Sequence, residues 1–434
     1  MFTTNYFNKL LLLFSIILLV DGCADESYED ARNFFNTGNV SYSPINCDTN
    51  SQNEFVYTVL RDTYLWSDQV QQVDYSNFNS PQELLENLKY KKIDKWSYIS
   101  YVGDFIAVGI SIKYDLLGDL RIKFVYEDSP AKKAGIVRGD KLLSINGMSI
   151  ENIEKNELWD EIFGEDTIGV EVNLLLENID GNQKIFTLKK AIIPTKTILF
   201  YDIILQNDFK IGYLVFQSFK KESINELNEV FNYFKDQQIG ELIIDLRYNR
   251  GGKYIAAQHL SSLISGNLIV GKTFIKTSHN NRYKNWDKTL YFQSLKDALS
   301  LNRVIILTTE ETCSASEVVI NSLTPYIDVI TIGNTTCGKP FGMHPHYFCD
   351  KVLNAVEMTT FNSLDFADYT DGIQPTCNAE DDLKTVFGDI NENLLSNSIY
   401  YINTNECNSS AYQKSKIVDK NKSFFGIYDA KDGY

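Results

Sequence analysis

Apolar and polar positions change rhythm several times along this chain. An apolar run of eleven residues, Leu10–Val20, follows Lys9. It is too short for a membrane span, which needs about 20 residues, and it fits the h-region of a signal peptide. Residues 24–50 are polar, rich in Asn and Ser, and read as linker. Over 51–100, Phe55, Leu60, Tyr64-Leu65-Trp66, Leu84-Leu85 and Leu88 mark apolar helical faces.

The pattern turns to short strands over 101–195. Val108-Gly109-Ile110-Ser111-Ile112 alternates as a strand, and Leu120–Val125 is a second β-rich run. Between them and the next strand lies Ser129-Pro130-Ala131-Lys132-Lys133-Ala134-Gly135. Its serine cap, early proline and final glycine predict a short helix. Gly139-Asp140 then opens a buried strand, Leu142–Ile145, that ends in the hairpin turn Asn146-Gly147. Taken in order, these residues resemble a bacterial PDZ domain. That resemblance implies a peptide groove beside Val108, Gly109, Ile110, Ser111 and Ile112, where an extended tail adds to a sheet edge. The alternative is a small β domain without a ligand.

From about residue 200, strands and helices alternate. Ile211–Phe216, Leu242–Leu246, Val304–Leu307 and Val329–Ile332 read as strands. Ser223–Phe234, Tyr254–Ile264 and Ser316–Leu323 read as helices. This is the rhythm of an α/β domain with a central sheet. Residues 402–434 lose it and read as a tail.

Composition narrows the class. The 434 residues are 44% hydrophobic and 23% charged, which is globular and long enough for two or three domains. The net charge of −16 disfavours a phosphate backbone, so no nucleic-acid partner is expected. The apolar run ends in Leu19-Val20-Asp21-Gly22-Cys23, which resembles a bacterial lipobox. On that reading Cys23 carries lipid, becomes the mature N-terminus and ties the protein to a membrane. The alternative is an ordinary cleaved secretory signal. The acidic stretch Ala24–Asp30 reads as a tether, and it resembles a surface-export signal. Six further cysteines, Cys47, Cys313, Cys337, Cys349, Cys377 and Cys407, suit disulfides in an exported chain. The sequence does not choose among their pairings.

Candidate chemistry centres on Thr312-Cys313-Ser314-Ala315-Ser316-Glu317, which follows a buried strand and opens a helix. Backbone amides at a helix N-terminus can receive an oxyanion, so Ser314 is well placed as a nucleophile. Taken alone, an N-cap serine is the simpler account. Lys339 lies 25 residues further on, just past the next strand. One helix and one parallel strand would return it to the same sheet edge, where a desolvated lysine can serve as base.

These segments resemble the C-terminal processing (tail-specific) serine peptidases, in an exported bacterial lipoprotein subgroup. The matching residues are Asp245-Leu246-Arg247-x-Asn249-x-Gly251-Gly252, Ser314-Ala315-Ser316-Glu317 and Gly338-Lys339, behind a PDZ domain. The resemblance implies an α/β peptidase domain of the ClpP/crotonase type, Ser314 as nucleophile and Lys339 as general base. It implies an oxyanion hole from Ala315 and a glycine of the pair, with Gly251 preferred to Gly252. Position 343, where many members carry a glutamine that helps to position the lysine, is Met343.

Other readings rank lower. The four histidines, His259, His279, His344 and His346, show no spacing that favours a triad. No CxxC or HExxH motif supports zinc, so no metal or cofactor is expected. Asp245 and Arg247 suit a structural ion pair, and Glu317 suits the helix dipole. Cys313 and Cys337 suit a disulfide or buried thiols more than catalysis.

The expected organisation is a signal peptide (1–22), an acidic and polar tether (23–50), a helical segment (51–100), a PDZ domain (101–195), an α/β peptidase domain (196–401) and a tail (402–434). The expected activity is Ser/Lys endopeptidase cleavage of exported or misfolded polypeptides with accessible C-termini. The site of action would be the bacterial cell envelope, at the outer membrane or cell surface more than the inner membrane. The rival is a weak or inactive PDZ-containing binding protein that keeps the peptidase fold.

Overall fold

The computed structural model describes residue 44 and residues 46–194, 196–206 and 209–408. The signal segment, Cys23, most of the 23–50 tether and the chain beyond 408 lie outside the described residues. Among the described residues, no helix is long and apolar enough to cross a membrane. The chain divides into two units.

The first unit holds the N-terminal part up to Ile99 together with His279–Trp286 and Met343–Glu357. Helix α1 (Thr49–Asp62) starts where Asp48 accepts a hydrogen bond from the Ser51 amide, at 2.9 Å. Its apolar face buries Phe55, Val56, Val59 and Leu60. Helix α2 (Pro81–Leu88) is capped by Ser80 and led by Pro81, and it buries Leu84, Leu85 and Leu88. Phe55 stacks on Phe348 with ring centroids 4.7 Å apart, and the Cys47–Cys349 disulfide lies in the same unit.

The second unit holds the rest, beginning with a sheet over the PDZ-like region. Its strands are β1 (Ile110–Tyr114), β2 (Leu120–Val125), β3 (Lys141–Ile145), β4 (Glu171–Glu177) and β5 (Gln183–Lys189), in that order across the sheet. All the neighbouring pairs are antiparallel. Helix α3 (Pro130–Ala134) has the expected ends: Ser129 accepts from the Lys132 amide, and Gly135 closes it in the left-handed region. Helix α4 (Ile150–Lys155) follows the Asn146-Gly147 turn, where both residues have positive φ. Ile122, Leu142, Ile145, Ile153, Val172 and Leu174 form the core.

A six-stranded sheet follows: β6 (Ile198–Gln206), β7 (Phe209–Phe216), β8 (Glu241–Asp245), β9 (Arg303–Thr308), β10 (Asp328–Gly333) and β11 (Cys377–Asn378). The first pair is antiparallel and the rest are parallel. Buried parallel strands read as runs of Ile, Leu and Val, as here. One face packs Tyr213, Ile243, Ile305, Leu307 and Ile332 on helix α8 (Asn393–Thr404) through Leu394, Leu395 and Ile399. The 402–434 tail therefore begins inside a helix, and the Cys377–Cys407 disulfide ties the residues just beyond it to β11. Period two turns Leu242, Ile244, Val304 and Ile306 to the opposite face. Helices α5 (Ser223–Asp236), α6 (Tyr254–Ser265) and α7 (Ala315–Leu323) form the remaining α/β connections.

The register aligns Asp245 with Leu307 and Leu307 with Ile332. Three loops, 246–252, 309–314 and 334–339, therefore leave the carboxyl ends of adjacent strands. That end of an open parallel sheet is where ligands bind.

Candidate active site

Ser314 sits at the junction of β9's loop and α7 with φ 54° and ψ −114°. A serine pays steric strain in that region, and such outliers gather at functional sites. The strain is imposed by neighbours. The Cys313 amide donates to the Asn249 carbonyl at 3.0 Å, and Ser316 Oγ donates to the same carbonyl at 2.8 Å. Thr312 Oγ1 donates to the Leu246 carbonyl at 2.8 Å. The loop after β8 thus clamps both sides of Ser314.

The glycine pair divides its work. A Cβ on Gly251 would stand 2.8 Å from Ser314 Cβ and 2.9 Å from the Ala315 amide nitrogen, so only glycine lets this backbone approach the serine. Gly252 instead packs on the Phe219 carbonyl. Gly251 is therefore the member beside Ser314 and Ala315. Its own amide donates to Asn249 Oδ1 at 2.9 Å, so it can serve an oxyanion only by releasing or sharing that bond.

Glu317 gathers the site. Its carboxylate is fully buried and accepts from the Ser314 amide at 2.9 Å and the Lys339 amide at 2.8 Å, both on Oε2. On Oε1 it accepts from the Gly338 amide at 2.7 Å and from the Thr336 hydroxyl. Burial raises this carboxyl above its ordinary range, although the donors favour the ionised form. The dipole role expected from sequence is therefore incomplete, because this side chain joins the two candidate residues through their backbones. Ser-x-x-Glu at a helix start is the signature that could have pointed to it.

Lys339 is 4% exposed, so its ammonium stem has left bulk water. A disulfide joins Cys313 to Cys337, the residues one before Ser314 and two before Lys339. The two sulfurs and a Glu317 oxygen lie within 4.8 Å of one another. Tyr254, the first residue of α6, was not singled out from sequence. Burial pushes its phenol up, and its hydroxyl lies within reach of Ser314 and Thr360.

The rival groups have other partners. Asp245 and Arg247 are buried together at 2.7 Å, with Glu392 and Asp381 completing a charged cluster. His259 Nε2 meets Asn228 Oδ1 at 2.7 Å. In the first unit, His344 and His346 share the Glu357 carboxylate at 2.7 and 2.6 Å. Met343 lies in strand Phe341–Phe348.

The expected peptide groove has an open edge. Among the described residues β1 pairs with β2 only, so its other side is available for strand addition. Ile110, Ser111 and Ile112 belong to β1, whereas Val108 and Gly109 form its approach. Their carbonyls accept from the Ala131 and Tyr126 amides. The PDZ-like sheet is anchored to the loop before Ser314: Lys123 meets Glu311 at 2.9 Å and Lys113 meets Glu310 at 2.7 Å. Arg138 adds a buried contact to Asp381 at 2.7 Å.

Comparison with known proteins agrees with this architecture. Residues 210–379 match the model of peptidase family S41, residues 51–98 the peptidase S41 N-terminal domain, and residues 121–157 a PDZ domain. The carboxy-terminal processing protease CtpA of Bacillus subtilis is 28% identical over 222 residues, 51% of this chain and 45% of the relative. CtpB of the same organism is 26% identical over 225 residues, 51% of this chain and 44% of the relative. The chain thus spans under half the length of these relatives. A crystal structure of an S41 protease from Bacteroides fragilis NCTC 9343 superposes with a TM-score of 0.69, covering 84% of this chain and 99% of the other. At 24% identity that likeness speaks for the fold alone.

Proposed function

We propose, for a chain that belongs to peptidase family S41, that Ser314 and Lys339 form the dyad of a tail-selecting serine endopeptidase. One observation carries this reading: the strained Ser314 and the buried Lys339 hang from a single carboxylate oxygen, Glu317 Oε2. Ser314 Oγ attacks the substrate carbonyl while Lys339, neutral at that moment, takes its proton. The oxyanion settles between the Ala315 and Gly251 amides, and the Gly251 amide leaves Asn249 to reach it. Lys339 returns the proton to the leaving amine, and water then deacylates the serine. No step needs a metal or cofactor.

The open edge of β1 supports capture of extended polypeptide tails, with Val108–Ile112 as the docking strand. Such tails belong to exported or misfolded polypeptides. Cys23 is proposed as the lipid-bearing residue that holds the enzyme to the bacterial envelope, at the outer membrane or cell surface. The test is digestion of an unstructured polypeptide by wild type and by Ser314→Ala. Cleavage by wild type alone supports the reading, and equal cleavage by both rejects it.

A further inference from the structure

We propose that Cys313, Cys337 and Glu317 form a redox-gated metal site. With the disulfide reduced, two thiolates and one carboxylate bind a zinc-class cation, and the bound ion switches the peptidase off. The site stands on geometry. Its effect on turnover rests on the dyad reading above.

Three ligand atoms are already gathered within 4.8 Å, and Cys337 Sγ lies 3.4 Å from Glu317 Oε2. Zinc holds thiolates at about 2.3 Å and a carboxylate oxygen at about 2.1 Å, so in a tetrahedral site its ligand atoms stand about 3.6 to 3.8 Å apart. The two cysteine Cα atoms are 5.2 Å apart, so the sulfurs need only part and turn toward the carboxylate. Thiolates favour zinc over magnesium or calcium.

The gate is thiol–disulfide exchange. A dithiol gives two electrons and two protons to Cys313–Cys337, becoming a disulfide itself and leaving two thiols. Cys337 is the more exposed partner and offers the sulfur for attack. Metal binding then releases the two thiol protons. While the cysteines are joined they offer no thiolate, so the oxidised protein has no such site.

The consequence follows from what Glu317 holds. Its Oε2 carries the amides of both Ser314 and Lys339. A cation drawing on that carboxylate competes with both amides and moves the dyad. A chain still among reducing thiols would thus be silent, and oxidation after export would release it.

The test uses the full chain, reduced with a phosphine that does not chelate zinc, and counts bound zinc with a chromogenic chelator. The four other disulfide cysteines and Cys23 can also bind metal, so the count is compared with reduced C313S/C337S. Reduced wild type should bind one more ion than that variant. Zinc should lower its turnover at least about tenfold relative to the reduced, chelator-treated protein. Oxidised wild type should be unaffected. Should the double variant not fold, Cys337→Ser alone should lose the same ion. Equal ion counts in reduced wild type and variants overturn the site. Undiminished turnover of the zinc-loaded reduced enzyme overturns the switch. A protein inactive in every form would reject the peptidase reading, and the ion count would still decide the site.

Discussion

The amides of Ser314 and Lys339 donate to the same atom, Glu317 Oε2, at 2.9 and 2.8 Å. The two residues are 25 positions apart, and a helix and a strand separate them. One buried oxygen therefore sets the relative position of both backbones, on a scale where an error of 1 Å matters to catalysis.

Glu317→Gln tests that role. The amide keeps one acceptor oxygen but turns an NH2 group either toward the Ser314 and Lys339 amides or toward the Gly338 amide, so at least one backbone donor loses its partner in either orientation. The expected outcome is a fall in kcat of about 10- to 100-fold with KM changed little, because Glu317 positions the dyad without binding substrate. A loss confined to KM would contradict this.

The edge of β1 should select free tails. Amidation of a substrate C-terminus removes its charge and an acceptor oxygen. Cleavage should weaken about tenfold if about 1.4 kcal/mol of carboxylate binding is lost. A short uncleavable peptide with a free carboxylate should compete, and its amidated form should not. Equal handling of both forms would remove tail selection from the account.

Acid should loosen the junction of the PDZ-like sheet with the loop before Ser314. Burial alone would raise Glu311, but Lys123, Lys113 and Arg250 outweigh it and hold the carboxyl well below its ordinary 4.5. Asp381 is likewise held down against burial by Arg138, Arg247 and Lys113. Lowered carboxyls give their stability in full above the ordinary carboxylate range and lose it as pH falls through and below that range. Glu317, raised by burial, acts in the opposite sense: its contribution fades as pH rises through its raised value. Unfolding free energy should therefore drop below about pH 4.5, and Glu311→Gln should flatten that limb. An unchanged acid limb in the variant would count against the ion pairs.

Cys23→Ser should move the protein from the detergent-soluble membrane fraction to a soluble exported form. Unchanged membrane association would reject the lipid anchor.

Much of the α/β core is legible in sequence. Its strands from Ile211 to Ile332 are short apolar runs, and their helices keep a 3.6-residue period. The hairpin Phe341–Phe348 and Lys351–Phe361 is not, because Pro345 argues against a strand and His344 and His346 turn inward to a buried glutamate. The Cys313–Cys337 pairing depends on the parallel register of Leu307 with Ile332, which local spacing does not reveal. Glu317 announces a helix cap by its spacing from Ser314. That it also collects Gly338 and Lys339 depends on a loop arriving from the next strand.

The most direct test of the dyad is covalent trapping. A phosphonate probe of serine nucleophiles is incubated with wild type, Ser314→Ala, Lys339→Ala and the double variant, and adducts are mapped by peptide mass. The account predicts one adduct on Ser314 in wild type and none there in either Ser314→Ala protein. In Lys339→Ala the labelling rate should fall by orders of magnitude, and turnover of the double variant should be little worse than that of either single. Labelling at Ser314 as fast in Lys339→Ala as in wild type would contradict Lys339 as the base.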